Sequence, residues 1–510
     1  MKRYSDLEFL KLSKGQKFLY KLTSFFASIP RAIGGIFLAI GRFFRDLGLG
    51  IAEEFSDIFT TFKEGDWKTR ASFLVMGLGS MARGQVLRGL LFLLFEIVFI
   101  FYMVTTGGYW MSMLPSLGKI GPHDEYSAVL DAYTKVYGDN SFKILLYGVL
   151  TMFFIVAFIF TWRLNVKQNK ISEEILRSGK KLKSGKDDLR SLVDDQFHKT
   201  LLALPLTGIL IFTVMPLVFM ILVAFTNYDG THDGFSNNLF TWVGLENFNT
   251  MLHWTGGGST NYSATFGEVL SWTLMWAFFA TFTNYFLGMA VAMMINKKGI
   301  RLKKVWRTIL VTTIAIPQFI SLLYVSKMFA KNGIINGILM DLGWITKALP
   351  FWEDPTWARI TVIGINIWIG IPYLMLIATG ILMNIPADLY ESAKIDGASG
   401  WQQYSKITLP YMLFVTGPYL LTSFTGNINN FNVIFLLTGG APINTNASGA
   451  AGSVGYTDLL ITWLFKITTG AESKYYLASV IGILVFVVMA VITLVVYGVL
   501  PSIKNEEDFQ

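Results

Sequence analysis

The chain has 510 residues, 53% hydrophobic and 15% charged, with a formal net charge of +8 and no cysteine. So little charge excludes an ordinary soluble globular protein of this length, and the missing cysteine excludes disulfides and thiol chemistry. The positive balance could serve nucleic acid, but the lysines and arginines lie mainly in loops between apolar runs, which fits an orientation signal in a membrane and no nucleic-acid partner.

Apolar runs of about 20 residues recur, long enough to cross the hydrocarbon core as helices. Backbone groups in lipid must be satisfied within the segment, so the expected fold class is all-α, a polytopic membrane protein with about eight transmembrane helices. Residues 1–88 read as an N-terminal extension. Within it, 18–44 alternates apolar residues with Lys21, Arg31, Arg42 and Arg45. Two readings stay open there: an amphipathic helix lying on the membrane, or a helical pair packing on itself. Nothing at the start resembles a cleavable signal peptide.

Spans are expected near 89–106, 144–164, 201–225, 269–295, 306–329, 359–383, 411–437 and 477–500. The first two form an additional hairpin, 89–164. A charged linker, 165–200, separates it from a six-span core, 201–500, followed by a tail, 501–510. Fourteen lysines and arginines precede the first span, nine fall in 165–200 and six in 296–307. Loop 226–268 has none, and 330–358 has only Lys331 and Lys347. This alternation predicts cytoplasmic termini and puts 385–410 in the cytoplasm.

Several chemistries are not supported. The stretch 179–187, GKKLKSGKD, has the wrong spacing for a phosphate-binding loop, and Asp187 stands where Ser or Thr is needed. His123, His198, His232 and His253 lack metal-ligand spacing. The turn 229–234, DGTHDG, lacks the ligand pattern and closing Glu of a calcium loop. No GxSxG nucleophile motif occurs. The chain is therefore expected to be no enzyme, with no catalytic residue, no metal site and no cofactor of its own.

Two spans carry unusual polar sets. Asn366, Ile369, Gly370 and Tyr373 share one helix face in NIWIGIPY, where Pro372 is expected to loosen or kink the helix. Four asparagines fall within six positions of SFTGNINNFNVIFLL, and helical spacing aligns Ser423, Gly426, Asn427 and Asn430. Amides in hydrocarbon need partners or a water-filled path. Such sets suit a sugar, which needs hydroxyl partners and a flat apolar face. They equally suit close helix packing.

Between these spans lies 385–410, IPADLYESAKIDGASGWQQYSKITLP. Asp388 with Glu391 predicts a capping box and a helix start near Leu389. Gly397 predicts a left-handed helix stop, and Ser399 with Gln402 a second start. Glu391, Ser392 and Ala393, then Asp396, Gly397 and Ala398, then 407–410 resemble the EAA loop of ABC importer membrane subunits. Ser392 departs from the usual Ala. From about 201 to 500 the chain resembles the MalF-type permease subunits of carbohydrate ABC importers. IPQFIS (316–321), NIWIGIPY (366–373), the EAA loop, SFTGNINNF (423–431) and GYTDLL (455–460) carry that resemblance.

The resemblance implies a type I ABC importer permease fold in the C-terminal six spans. It implies that 391–398 is a coupling helix docking on an ATPase, and that Asn366, Ile369, Gly370, Tyr373, Ser423, Gly426, Asn427 and Asn430 face an oligosaccharide midway through the membrane. Ile314 and Gln318 join that set, with Ile314 in place of an aromatic residue and Gln318 in place of a small hydroxyl. Gly426 replaces a bulkier residue. The implied partners are a second, MalG-like permease subunit, ATP-binding subunits carrying ATP and magnesium, an extracytoplasmic solute-binding protein and membrane lipid. Maltose or maltodextrin is the implied sugar class. Two other classes stay open: an ion-driven secondary transporter, for which Glu96 is the evident buried carboxylate, and a non-transporting membrane scaffold.

Overall fold

In the computed structural model, residues 13–182, 187, 190–191, 193–252, 262–297, 299–445, 447, 454–470 and 473–499 are described. The expected tail, residues 1–12 of the extension, 183–186 of the phosphate-loop lookalike and further residues of the 165–200 linker lie outside them. Helices dominate the described residues, joined by loops and by one antiparallel hairpin, β1 (His123–Ser127) and β2 (Ala132–Val136), in register His123↔Val136. Among the described residues, seven helices are long and apolar enough to span a membrane, or up to eight if one bent pair counts as a span. Contacts divide the chain into two units, Leu38–Phe248 with Ala471–Val480, and Met1–Phe37 with Asn249–Gly470 and Ile481–Gln510.

Helix α1 (Lys14–Glu64) is a 51-residue amphipathic helix whose part from Leu38 onward belongs to the first unit. Two short helices follow, α2 (Trp67–Ala71) and α3 (Leu78–Ala82). The spans are α4 (Val86–Met113), α5 (Ser141–Arg177) and α6 (Phe197–Val223). Helix α5 continues unbroken into the first part of the charged linker. Its start is fixed by Asn140, whose side chain accepts the Lys143 N–H at 2.9 Å. Leu117, Ile144, Leu145, Val149, Val223 and Phe240 form an apolar core.

Beside that core sits a buried ionic knot. The Arg83 side chain is fully buried and meets Asp66 at 2.5 Å and Glu173 at 3.7 Å. It also donates to Asn169 Oδ1 at 2.8 Å. Glu173 accepts the Thr69 hydroxyl at 2.6 Å. Glu96 is buried as expected, but its carboxylate accepts the Met76 backbone N–H at 2.8 Å, a structural use.

The second unit centres on α8 (Tyr262–Asn296), which packs along α12 (Pro355–Leu382) and α14 (Gly400–Ile428). Helix–helix association in lipid relies on close packing and small residues. Gly288 is one such residue, since a Cβ there would lie 2.7 Å from Leu374 Cβ. Short helices α7 (Glu246–Leu252) and α11 (Ile334–Asp341) connect longer ones. Helix α16 (Leu460–Thr469) is short, and α17 (Tyr475–Val499) is the last of these spans.

Two expected spans are broken. The one at 306–329 is a pair, α9 (Lys303–Ala315) and α10 (Gln318–Met328), bent by 90°. Pro317 has no N–H to continue α9 and holds Ile316 extended, at φ −77° and ψ 125°. The one at 411–437 ends at Ile428 and restarts as α15 (Phe431–Leu437). There Asn430 takes the N-cap position, its side chain accepting the Val433 N–H. By contrast, α12 runs through Pro372 as one helix.

Candidate functional site

Halfway along α8, a band of polar side chains crosses the bundle. Thr281 and Asn284 lie one turn apart and are both buried. Asn427 of α14 donates its amide to the Thr281 hydroxyl at 3.0 Å, and its backbone carbonyl accepts the Trp276 indole N–H at 3.0 Å. Asn430 donates to Asn427 Oδ1 at 3.4 Å. On the α12 side, Asn284 donates to the Asn366 carbonyl at 3.4 Å. The Asn284 Oδ1 and Asn366 Nδ2 atoms are buried and meet no partner among the described residues. A buried amide group without a partner costs about 1–3 kcal/mol.

The sequence-predicted residues divide around this band. Gly370 is a contact point, because a Cβ there would overlap the Asn284 amide. Ile369 packs against the apolar core of Trp272, Trp276 and Val362. Tyr373, in contrast, is 54% exposed. Ser423 is half-buried on α14. Gly426 faces open space, with nothing within 4 Å of a Cβ built on it. Ile314 and Gln318 are exposed on either side of the α9–α10 bend.

The expected single face of Ser423, Gly426, Asn427 and Asn430 is corrected in one respect. The first three share α14, whereas Asn430 lies beyond its end and reaches Asn427 by capping the next helix. Thr281 and Asn284 were missed by the sequence reading. Their signal was present, as polar residues inside the apolar run 269–295.

At one end of the bundle, 385–410 forms two helical segments around a turn. Helix α13 (Ala387–Ile395) ends where Gly397 takes φ 75°. The Gly397 N–H donates to the Lys394 carbonyl at 3.0 Å and the Ala398 N–H to the Ala393 carbonyl at 2.8 Å, closing the helix end. Ser399 and Gln402 mark the expected second start, that of α14, and do so by forming a capping box. The box expected at Asp388 and Glu391 does not form. Pro386 takes the N-cap position of α13 without a side-chain bond, and Asp388 lies in the first turn, where its charge favours the helix N-terminus.

A hydrogen bond of 2.9 Å between the Tyr390 and Thr408 hydroxyls folds α13 back on α14. Glu391, Ser392, Asp396 and Gly397 are exposed, and Ala393 and Ala398 half-buried. Ile395 is 87% and Trp401 73% exposed. The turn is thus held rigidly by its own hydrogen bonds while offering apolar and acidic side chains outward.

The opposite end holds a charge network that sequence reasoning also missed. Asp458 pairs with Lys466 at 2.6 Å and accepts the Gly455 N–H at 2.7 Å and the Thr462 hydroxyl at 2.9 Å. Burial pushes its carboxyl above the usual range, opposed by the Lys466 ammonium. Nearby, the Asn444 amide donates to Glu268 at 2.9 Å. Arg359 donates to the Tyr456 carbonyl at 2.9 Å and lies over the Trp272 ring at 4.6 Å. These contacts hold the 438–459 segment across α8 and α12.

A separate groove of about 1020 Å³ runs between α8, α14 and α17, with walls including Phe278, Phe282, Phe424 and Ile492. Its lining is almost wholly apolar apart from Lys406, chemistry that suits a helix or an acyl chain rather than a sugar.

Residues 284–504 match the family described as binding-protein-dependent transport system inner membrane component. The chain is 30% identical over 444 residues to the maltodextrin transport system permease protein MalC of Streptococcus pneumoniae, covering 85% of this chain and 96% of that one. It is 32% identical to the maltodextrin permease protein MdxF of Bacillus subtilis, covering 85% and 95%. It is 35% identical over 233 residues to the maltose/maltodextrin permease protein MalF of Escherichia coli, covering 45% and 44%. A solved bacterial alginate ABC transporter chain aligns with a TM-score of 0.49 at 20% identity, covering 62% of this chain and 99% of that chain. With its apolar spans, broken core helices and exposed helix–glycine–helix turn, this chain belongs to the family of binding-protein-dependent transport system inner membrane components, the permease subunits of ABC importers.

Proposed function

We propose that this chain carries oligosaccharides, of the maltodextrin class, inward across the cell membrane as one permease subunit of an ATP-driven importer. The observation that carries the reading is the exposed, self-capped turn at 385–410 on the same helices, α12 and α14, that hold the mid-bundle amides. Movement of the turn is thereby movement of the amides. The relatives named for maltodextrin support the sugar class.

In this reading the N- and C-termini and the turn are cytoplasmic, as the loop charges favour. A pair of ATPase subunits, holding ATP and magnesium, grips Glu391, Ser392, Ala393, Asp396, Gly397 and Ala398, with Ile395 and Trp401 burying apolar surface at that contact. A second permease subunit completes the path, and the apolar groove beside α17 suits a helix of that partner. An extracytoplasmic binding protein delivers the sugar at the opposite end. ATP-driven closure of the ATPases swings the permeases from inward-facing to outward-facing, and release of the products returns them.

The sugar's hydroxyls meet Asn366, Asn427, Asn430, Ser423 and Gln318, while Tyr373 and Ile369 offer apolar faces and Ile314 lines the approach. Gly426 leaves room for a ring. An unpaired acceptor on Asn284 and an unpaired donor on Asn366 are a pair that a sugar hydroxyl can satisfy, since it both donates and accepts. No relay of ionisable groups is needed for this cycle.

Affinity purification of the tagged chain from its native membrane tests the assembly. An ATPase and a second permease should co-purify, and maltodextrin-loaded binding protein should stimulate hydrolysis. A chain that emerges alone under conditions that preserve membrane complexes would overturn the reading. Asn427→Ala and Asn430→Ala should each lower maltodextrin uptake at least tenfold with assembly and basal hydrolysis intact. Unchanged uptake kinetics would move the site elsewhere.

A further inference from the structure

The family and the transport reading leave α1 without a role, yet between Leu38 and Glu64 one of its faces is apolar and bare. Phe44, Leu47, Ile51, Phe55, Phe59 and Phe62 recur every three or four residues, forming one stripe. All six are exposed, Phe55 by 69% and Phe59 by 68%. The other face carries Arg42, Glu53, Ser56 and Lys63. A stripe of six bare apolar side chains is unfavourable in water.

The helix is also pinned at a particular height. Arg163 of α5 pairs with Glu54 and Asp57, and Lys170 reaches Asp57 at 2.6 Å. Arg163 lies where the apolar run of α5 gives way to Lys167 and Lys170, the level at which a span leaves hydrocarbon for the headgroup layer. The neighbouring Trp162 donates its indole N–H to the Phe73 carbonyl at 3.1 Å, and its ring meets Phe73 edge-on at 5.7 Å. Phe73 in turn meets Phe62 of the stripe at 5.2 Å. The stripe therefore runs on into an aromatic cluster at the boundary of a span, a position where tryptophan is favoured. Arg70 closes the helix end by donating to the Phe62 and Lys63 carbonyls.

The segment that carries most of the stripe, residues 46–64, holds Asp46, Glu53, Glu54, Asp57 and Glu64 against Lys63 alone, so its affinity for a lipid surface is apolar rather than electrostatic.

We propose that α1 is an in-plane membrane anchor, with its Phe44–Phe62 stripe sunk into the phospholipid headgroup and upper acyl region and its polar face in water. The Arg163–Glu54–Asp57 pairs hold it against the end of α5. The anchor is independent of the transport reading, and only the leaflet it occupies, the cytoplasmic one, rests on the orientation proposed above.

The natural chain contains no cysteine, so single cysteines can be labelled directly. Phe55→Cys and Phe59→Cys, with Glu53→Cys and Ser56→Cys as polar-face controls, would carry an environment-sensitive fluorophore. The full chain would be reconstituted in phosphatidylcholine–phosphatidylglycerol vesicles with brominated acyl chains. Quenching by bromine should be severalfold stronger at 55 and 59 than at 53 and 56, with iodide in the water giving the reverse order. Equal iodide quenching at all four positions would overturn the proposal. So would labels at 55 and 59 that neither quencher reaches, a pattern meaning that protein covers the stripe. A paired Arg163→Gln variant should weaken the contrast without abolishing labelling, which separates the clamp from the stripe itself.

Discussion

At one end of the α8–α12–α14 bundle, the 385–410 turn leaves Glu391, Asp396 and Trp401 in solvent; at the other, the 438–459 segment buries Asp458 against Gly455 and Lys466. The first is held by bonds between residues three to five positions apart, from Gly397 to Lys394, Ala398 to Ala393 and Ser399 to Gln402, and by the Tyr390–Thr408 bond. The second is held by Glu268, Arg359, Asn444, Asp458 and Lys466, drawn from three separate stretches of chain. A turn fixed by its own caps can move as a body and keep its shape. A segment fixed by buried charge is tied to the helices beneath it, and moves only with them.

That contrast can be broken most severely at Asp458. Asp458→Ala would strand the Lys466 ammonium and the Gly455 N–H, and removing one member of a buried pair costs about 3–5 kcal/mol. The variant should lose most of its assembled complex, seen as a lowered unfolding temperature in detergent. Lys466→Met in the same chain should restore part of the loss. Full stability of Asp458→Ala would show that the pair bears little load.

The two glycines of the predicted pocket sharpen the comparison. Gly370→Ala drives a methyl into the Asn284 amide, and overpacking of this kind costs about 1–3 kcal/mol. Gly426→Ala meets nothing within 4 Å and should leave stability unchanged. Gly426→Leu should lower uptake without lowering the unfolding temperature, since it fills a wall rather than a contact. Parallel thermal melts and uptake assays check both.

The smallest effect lies in the turn. Ser399→Ala removes one capping bond, a loss of about 1 kcal/mol. Because the turn is solvated, this should fray the start of α14 in hydrogen exchange while global stability hardly changes.

The same contrast explains what could be read in the sequence. The 385–410 turn was legible because Gly397, Ser399 and Gln402 act on their own neighbours. The first capping box failed for an equally local reason: Pro386 occupies the cap position, which displaces Asp388 into the helix. The spans were legible as apolar runs, but two breaks inside them were not. Pro317 and Asn430 sit in runs long enough to read as one helix, and only packing of the second segment against its neighbours reveals the bend and the restart. Of the polar band, the Asn427 side was visible as a cluster, whereas Thr281 and Asn284 stood singly within α8. Their meaning comes from partners about 80 to 150 residues away.

The measurement that bears most directly on the account is sugar-stimulated ATP hydrolysis by the purified complex carrying Gly397→Pro. Proline can neither adopt the φ of 75° nor donate to the Lys394 carbonyl. The account predicts an assembled complex whose basal hydrolysis persists while stimulation by loaded binding protein, and uptake with it, is lost. Normal stimulation and normal uptake in that variant would contradict the assignment of 385–410 as the link between the ATPases and the path.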